Sequence, residues 1–355
     1  MTKVRDITAA LEAFAPLYLA ESWDNVGLLV GDQEAAVDNV LLCIDYTREV
    51  AEEAKDCELV VAYHPPIFSG VKRLLAGSLV FGAIARGTAL YSPHTALDAA
   101  KGGTNDVLAA AAGLLDVTPL KPHVGAEMLK LVTFVPEEAL DKVSAALFEA
   151  GAGRIGQYSE CSFRTAGTGT FFGDETTSPA VGKKGRRERS AEIKLETIVP
   201  TKAAAKVMTA LLASHPYETP AFDLVRLQAV PDASLGQGRL GRTNGSRLDV
   251  IETVKRELGL SHVLVAGDTV GKAKRVAVAA GAGAGLLDDA IAQKADVFVT
   301  GELKHHDALR ANARGVTVIM TLHTNSERKA LSSLVKIIPC AARVSTRDRD
   351  PFAFV

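Results

Sequence analysis

Two short stretches of the chain set a histidine and a carboxylate at the same interval: His94-Thr-Ala-Leu-Asp98 and His323-Thr-Asn-Ser-Glu327. On a helical first turn, side chains four residues apart project from one face, so each stretch presents an imidazole beside a carboxylate. That combination suits Zn2+, Mn2+, Fe2+ or Ni2+, and two carboxylates able to bridge can hold two ions ~3.5–4 Å apart. The four cysteines, Cys43, Cys57, Cys161 and Cys340, are scattered, form no CxxC pair and flank neither stretch, which disfavours a thiolate-rich structural zinc site. On spacing alone the competing reading is helix N-capping and a polar surface.

The segments that must position these groups favour the first reading. In open parallel sheets ligands bind beyond the carboxyl ends of the strands. Five candidate strands end there in acids or histidines: NVLLCI leads to Asp45, ELVVAY to His64, TALYS to His94 and Asp98, DVFVT to Glu302, and VTVIMTL to His323 and Glu327. One such ending is ordinary turn chemistry, whereas five on one edge make a site. Strands over 39–44, 58–63 and 88–92 alternate with helices over 7–15, 48–55 and 104–114, and the alternation resumes with strands over 275–280, 296–300 and 316–322 and helices over 285–293, 305–313 and 326–336. Between them the texture changes: a strand over 129–135, a helix over 137–150, a Gly/Ser/Thr-rich antiparallel stretch over 151–173, a polar loop over 174–190, a strand over 192–200 and a helix over 201–214. The expected architecture is α/β: a discontinuous core domain with a largely parallel sheet (1–122 and 236–355), interrupted by an inserted α+β domain of ferredoxin-like type (123–235).

Composition narrows the function classes. Among 355 residues, 40 Lys+Arg stand against 42 Asp+Glu, a net charge of −2, so no global field draws nucleic acid or an anionic membrane. No apolar run reaches the ~18 residues a membrane span needs, and the opening MTKVRDITAALEAF lacks an apolar export core, so a soluble, cytoplasmic protein with reduced thiols is expected. The basic run Lys183, Lys184, Arg186, Arg187 and Arg189 has no interleaved aromatics and reads as a solvated loop, not a nucleic-acid surface. Gly281-Ala-Gly-Ala-Gly285 lacks the last glycine of a dinucleotide fingerprint, leaving a strand-to-helix turn. The sole tryptophan, Trp23, is a core residue, a subunit-interface anchor or a stacking platform. His215 is expected to serve the fold of the insert.

The blocks Glu21-Ser-Trp-Asp-Asn-Val-Gly-Leu, Tyr63-His-Pro-Pro, His94-Thr-Ala-Leu-Asp98, Thr300-Gly-Glu-Leu-Lys-His-His306 and His323-Thr-Asn-Ser-Glu327 together resemble the GTP cyclohydrolase type 2-like family, also called the Ngg-interacting-factor-three-like family. The resemblance spans essentially the whole chain, and Ser214-His-Pro-Tyr-Glu-Thr-Pro-Ala resembles the PII-like insert of longer bacterial members. It implies a dinuclear metal site, a ring-shaped homohexamer, and metal ligands at His64, Asp98, His323 and Glu327, with Asp98 and Glu327 bridging. Many members carry two histidines before the proline where this chain has Tyr63 and His64, which takes away one nitrogen ligand and leaves one or two ions per chain. His94 is expected to orient a ligand or substrate. The family name implies hydrolytic opening of GTP, hence a metal-dependent hydrolase on a small nucleotide-like substrate, with His306 as proton donor and Glu302 as its partner or a second base. The alternative is a non-catalytic regulatory or scaffold protein whose metal is structural and whose insert binds an effector.

Overall fold

Short apolar runs rich in Val, Leu and Ile cannot make a helical face, and in the computed structural model, which describes residues 1–125 and 127–353, they form strands Asn39–Cys43, Leu59–Ala62 and Ala89–Ser92. These pair in parallel, Ala341–Val344 joins beside Asn39–Cys43, and Gly27–Val30 closes the far edge antiparallel. Leu42, Val61 and Tyr91 pack on one face while Leu41, Val60 and Leu90 pack on the other, so the strands read as continuous apolar runs without alternation.

A second sheet is built in the same way. Arg275–Ala282, Val297–Glu302 and Thr317–Met320 are parallel, with Val276, Val299 and Ile319 on one face and Ala277, Phe298 and Val318 on the other. Leu264–Ala266 and Pro231–Arg242 flank them antiparallel, and Leu115–Val124 completes the six-stranded order. The single, largely parallel sheet expected from sequence is therefore two mixed sheets with parallel centres. The interior strand Pro231–Arg242 is rich in Gly, Asp, Ser and Arg, and the edge strand Leu264–Ala266 is three largely exposed residues, so neither carries the apolar-run signal that marks the centres. The helix expected over 326–336 is also broken, into turns Thr324–Ser326 and Arg328–Ala330 followed by Leu331–Val335, because side-chain bonds described below hold this stretch.

The described chain divides into two compact units, Met1–His123 with Asp232–Val355, and Val124–Pro231. In the second unit the order is strand Met128–Val135, helix Leu140–Glu149, strands Ser162–Phe172 and Arg187–Pro200, helix Ala204–Ser214 and strand Phe222–Arg226. Its strands are all antiparallel, with Arg187–Pro200 and Met128–Val135 at the centre. The helices lay Val143, Leu147, Val207 and Leu211 on Leu131, Val135, Leu195 and Val199, on one face of the sheet. The basic run is partly structural: Arg187 and Arg189 lie on a strand, and Glu188 accepts from the Lys183 amide (2.8 Å) and Arg186 Nε (2.6 Å). Cys43 and Cys57 are buried free thiols, and burial pushes Cys57 up to about 11. Among the described residues no helix is long and apolar enough to cross a membrane.

Candidate metal centre

The ladder of the first sheet carries His64 past its strand end: the Tyr63 amide donates to the Cys43 carbonyl (2.8 Å) and the His64 amide to that of Ile44 (3.0 Å). There His64 Nδ1 lies 2.9 Å from Asp45 Oδ1 and Nε2 lies 3.5 Å from Glu327 Oε2. Glu327 Oε1 is 3.4 Å from His323 Nε2, and His323 Nδ1 is 3.3 Å from Glu302 Oε1. Strand endings from the two sheets thus meet in one row of alternating carboxylates and imidazoles. Donor atoms of His64, His323 and Glu327 lie within 4.8 Å of one another, near enough to share one ion. Burial opposes a charge on His64, but Asp45 and Glu327 outweigh it and raise its pKa to about 10. The bond from His64 in turn holds the Asp45 carboxyl below its ordinary range, against the effect of burial.

Glu327 is 3% exposed, and its Oε2 has no hydrogen-bond partner. A buried carboxylate oxygen without a donor is costly unless a cation completes it. The two-nitrogen, one-carboxylate donor set fits a divalent transition metal. Space for the cluster comes from Gly281, at φ +63°, where a Cβ would fall 2.6 Å from Glu327 Oε1 and 3.3 Å from His323 Nε2. Ser326 Oγ accepts from the Gly281 amide (2.8 Å) and donates to the His323 carbonyl (2.6 Å), while Leu322 takes φ +69° to turn the chain into His323. Gly281→Ala is expected to weaken metal binding by ~10-fold or more, beside a fold penalty of ~1–2 kcal/mol from the left-handed backbone. Metal titration beside a thermal melt checks this: unchanged affinity would mean that Glu327 and His323 are not the ligands.

A second set of contacts holds the loop itself. Arg328 Nη1 donates to Asp348 Oδ2 (2.6 Å) and to the Asp348 carbonyl (2.7 Å), and Asp348 Oδ2 also accepts from the Ile44 amide (2.6 Å). Thr324 Oγ1 donates to Asp350 Oδ2 at 2.8 Å. The residues after strand Ala341–Val344 therefore fasten the loop bearing Glu327 to the strand end bearing Asp45.

The remaining sequence candidates divide. Asp98 does not join the three-residue cluster; its Oδ1 accepts the Tyr63 phenol. Burial pushes the Asp98 carboxyl up to about 6, the Tyr63 bond opposing and Glu327 reinforcing. Burial, then Asp98 and Glu327, push the Tyr63 hydroxyl well above its usual value, so it stays protonated and donates. His94, at φ +27°, is locked by Asp24, whose Oδ1 lies 2.8 Å from its Nδ1 while Oδ2 accepts from the Thr95 amide (3.1 Å); its ring meets that of His64 at 5.4 Å. Glu302 touches His323, whereas His306 is exposed on the first turn of helix His305–Ala313, its ring against His305, with no hydrogen bond to the cluster among the described residues. Trp23 is 58% exposed, which removes the core reading: Asp24 and, through Ile67, Asn25 tie down the neighbouring backbone while the indole lies against His94 and Phe68.

Sequence reasoning missed Asp24, Gly281 and Asp348. Asp24 sits inside a block already singled out, and Gly281 ends a strand on the same edge as the other endings, so both had a signal. Asp348 reaches Ile44 across 304 residues and had none.

A family model described as Duf34/NIF3 (NGG1p interacting factor 3) matches residues 2–346. A Mycobacterium tuberculosis protein named GTP cyclohydrolase 1 type 2 homolog is 39% identical over 335 residues, 92% of this chain and 88% of its own length. The Bacillus subtilis protein of that name is 34% identical over 367 residues, 99% of this chain and 98% of its own. Among solved structures, a Staphylococcus aureus protein superposes with TM-score 0.73 at 30% identity over 100% of this chain and 99% of its own, and a Bacillus cereus protein related to NIF3 with TM-score 0.65 at 34% identity over 100% and 99%.

Proposed function

We propose, from the premise that the chain belongs to the Duf34/NIF3 (NGG1p interacting factor 3) family, that its site binds a divalent metal ion and hydrolyses a small nucleotide-like substrate. One observation carries the reading: three donors from two sheets converge within 4.8 Å, and the buried carboxylate among them keeps an oxygen free of any hydrogen bond. His64, His323 and Glu327 would hold the ion, which when bound supplies Lewis acidity and lowers the pKa of a water toward ~7. Asp45 fixes the His64 ring through Nδ1, and Glu302 does the same for His323, setting which ring nitrogen faces the centre. Of the two residues given proton-transfer roles, Glu302 touches the cluster and would exchange the proton, with His306 as its exposed relay to solvent.

We assign one ion per chain, because the Tyr63 phenol already engages Asp98, the carboxylate that the resemblance makes a second bridge. The second unit, the region resembling a PII-like insert, would bind an effector, and the protein would work as a homohexamer. The test combines metal content with a screen for phosphatase, phosphodiesterase and cyclohydrolase activity. About one ion per chain, rising toward two in Tyr63→His, together with metal-dependent turnover lost in His323→Ala, is the expected result. Silence in every assay with the ion bound would overturn the hydrolase and leave the regulatory reading, which the cavity described next favours.

A further inference from the structure

The Ser214-His-Pro-Tyr-Glu stretch belongs to no part of the metal centre, yet its side chains are organised around a cavity of about 650 Å3 in the second unit. That volume lies within the range of small-molecule sites. Its walls include Phe134, Phe171, Pro179 and Val181, and its floor runs along Gly167 and Gly169. Glu192, Lys194, Tyr217, Glu218 and several threonines bring polar groups to these surroundings.

The Glu192 carboxylate is held in place by a chain of contacts. His215, 7% exposed, accepts the Tyr217 amide at Nδ1 (3.1 Å) and, through Nε2, donates to the Phe134 carbonyl (3.1 Å); those two partners fix its neutral tautomer. Tyr217 so placed donates its hydroxyl to Glu192 Oε1 at 2.8 Å. Glu192 Oε2 lies over Gly169, where any Cβ would collide with it, so the glycine makes room for the carboxylate. Neighbouring Lys194 is turned to Glu196 (2.9 Å), and among the described residues no cation pairs with Glu192. The loop above is tethered as well: the Ser178 amide donates to Glu218 Oε1 at 3.2 Å.

A preorganised anion without a counter-charge, set among aromatic and aliphatic walls, selects a ligand of opposite character. We propose that this cavity is a second ligand site, separate from the metal centre, that takes a small molecule with a flat apolar body and a cationic or paired N–H group read by Glu192. The walls and the glycine floor accept the flat body. Glu192 Oε2 accepts the charged donor, and Tyr217 holds the carboxylate at the angle required.

Benzamidine, a flat ring bearing an amidinium, is the minimal probe, and benzoate is its anionic counterpart. Calorimetric titration of the full chain is expected to show benzamidine binding and no benzoate binding. Glu192→Gln should weaken benzamidine ~10- to 100-fold, the loss expected for one charge-assisted contact, and Tyr217→Phe, which removes only a hydroxyl, several-fold. If Glu192→Gln fails to fold, the Tyr217→Phe result stands in its place. Absence of benzamidine binding, equal binding of benzoate, or full affinity in either variant would overturn the proposal.

Discussion

Glu327→Gln is expected to cost the protein its metal. Glu327 is the only acid in the three-residue cluster, it is almost wholly buried, and one of its oxygens accepts no hydrogen bond. Glutamine keeps the shape and removes the charge, so the change isolates electrostatics from packing. Residues that merely orient ligands cost ~10- to 100-fold in affinity, and loss of the anionic ligand itself should exceed ~100-fold. The stability effect should depend on metal. Without the ion, Glu327 still faces the His64 and His323 rings at 3.5 and 3.4 Å, so the variant loses part of that pairing and should melt slightly below wild type. With excess Zn2+ or Mn2+ the wild type gains stability through binding to the native state, by ~2.7 kcal/mol at a concentration a hundredfold above Kd, and the variant does not. Metal analysis after gel filtration and paired melts with and without the ion check both parts. A variant that retains the ion, or gains as much stability from it as wild type, would sink the assignment of Glu327.

How much of this was legible from the residues follows from where each signal resides. The central strands and the helix His305–Ala313 announced themselves because apolar periodicity is local, and the acids and histidines after those strands could be read because a parallel sheet gathers its carboxyl ends on one edge. Such a shared edge requires one sheet. The structure divides the endings, with Asp45, His64 and Asp98 following strands of the first sheet and Glu302, His323 and Glu327 following strands of the second, and the site forms where they face each other. Strands such as Pro231–Arg242 stayed hidden because their glycines and polar residues, Arg239 among them, leave no apolar pattern. Within the site, spacing predicted an imidazole beside each carboxylate. It held for His323 and Glu327, which meet at 3.4 Å, whereas His94 turned to Asp24 and Asp98 to Tyr63, partners 70 and 35 positions away. Contacts of that separation are settled by tertiary packing, which no local rule carries.

Arg239→Ala should be among the most destabilising single changes in the first unit. Its side chain is 2% exposed and fully engaged: Nε and Nη2 grip Asp106 at 2.6 and 2.9 Å, Nη1 donates to the Gly236 and Gly238 carbonyls at 2.7 and 2.8 Å, and Nη2 also reaches the Ala100 carbonyl at 2.9 Å. Truncation leaves three carbonyls without their donor and a half-buried carboxylate with only the Gly102 amide, 2.6 Å from Asp106 Oδ2. Breaking a buried pair from one side costs ~3–5 kcal/mol, well beyond the worth of any exposed ion pair. Arg239→Lys should recover only part of this, because three donors on one ammonium cannot reproduce a planar fork that faces a carboxylate and three carbonyls together. Urea unfolding followed by fluorescence of Trp23, the sole tryptophan and a member of the same unit, reports the relevant transition. A midpoint change worth less than ~1 kcal/mol would show that water replaces the guanidinium. A double change with Asp106→Asn should cost less than the sum of the two alone, since the partners share one interaction. The consequence reaches the site, because Ala100 closes the helix His94–Ala99 that follows a first-sheet strand, whereas Arg239 lies on a second-sheet strand. Gln237 repeats the link by donating to the Thr95 carbonyl at 3.2 Å. Arg239 therefore holds together the two sheets whose strand endings supply His64 on one side and His323 with Glu327 on the other, and Arg239→Ala should lose metal affinity before it loses its fold.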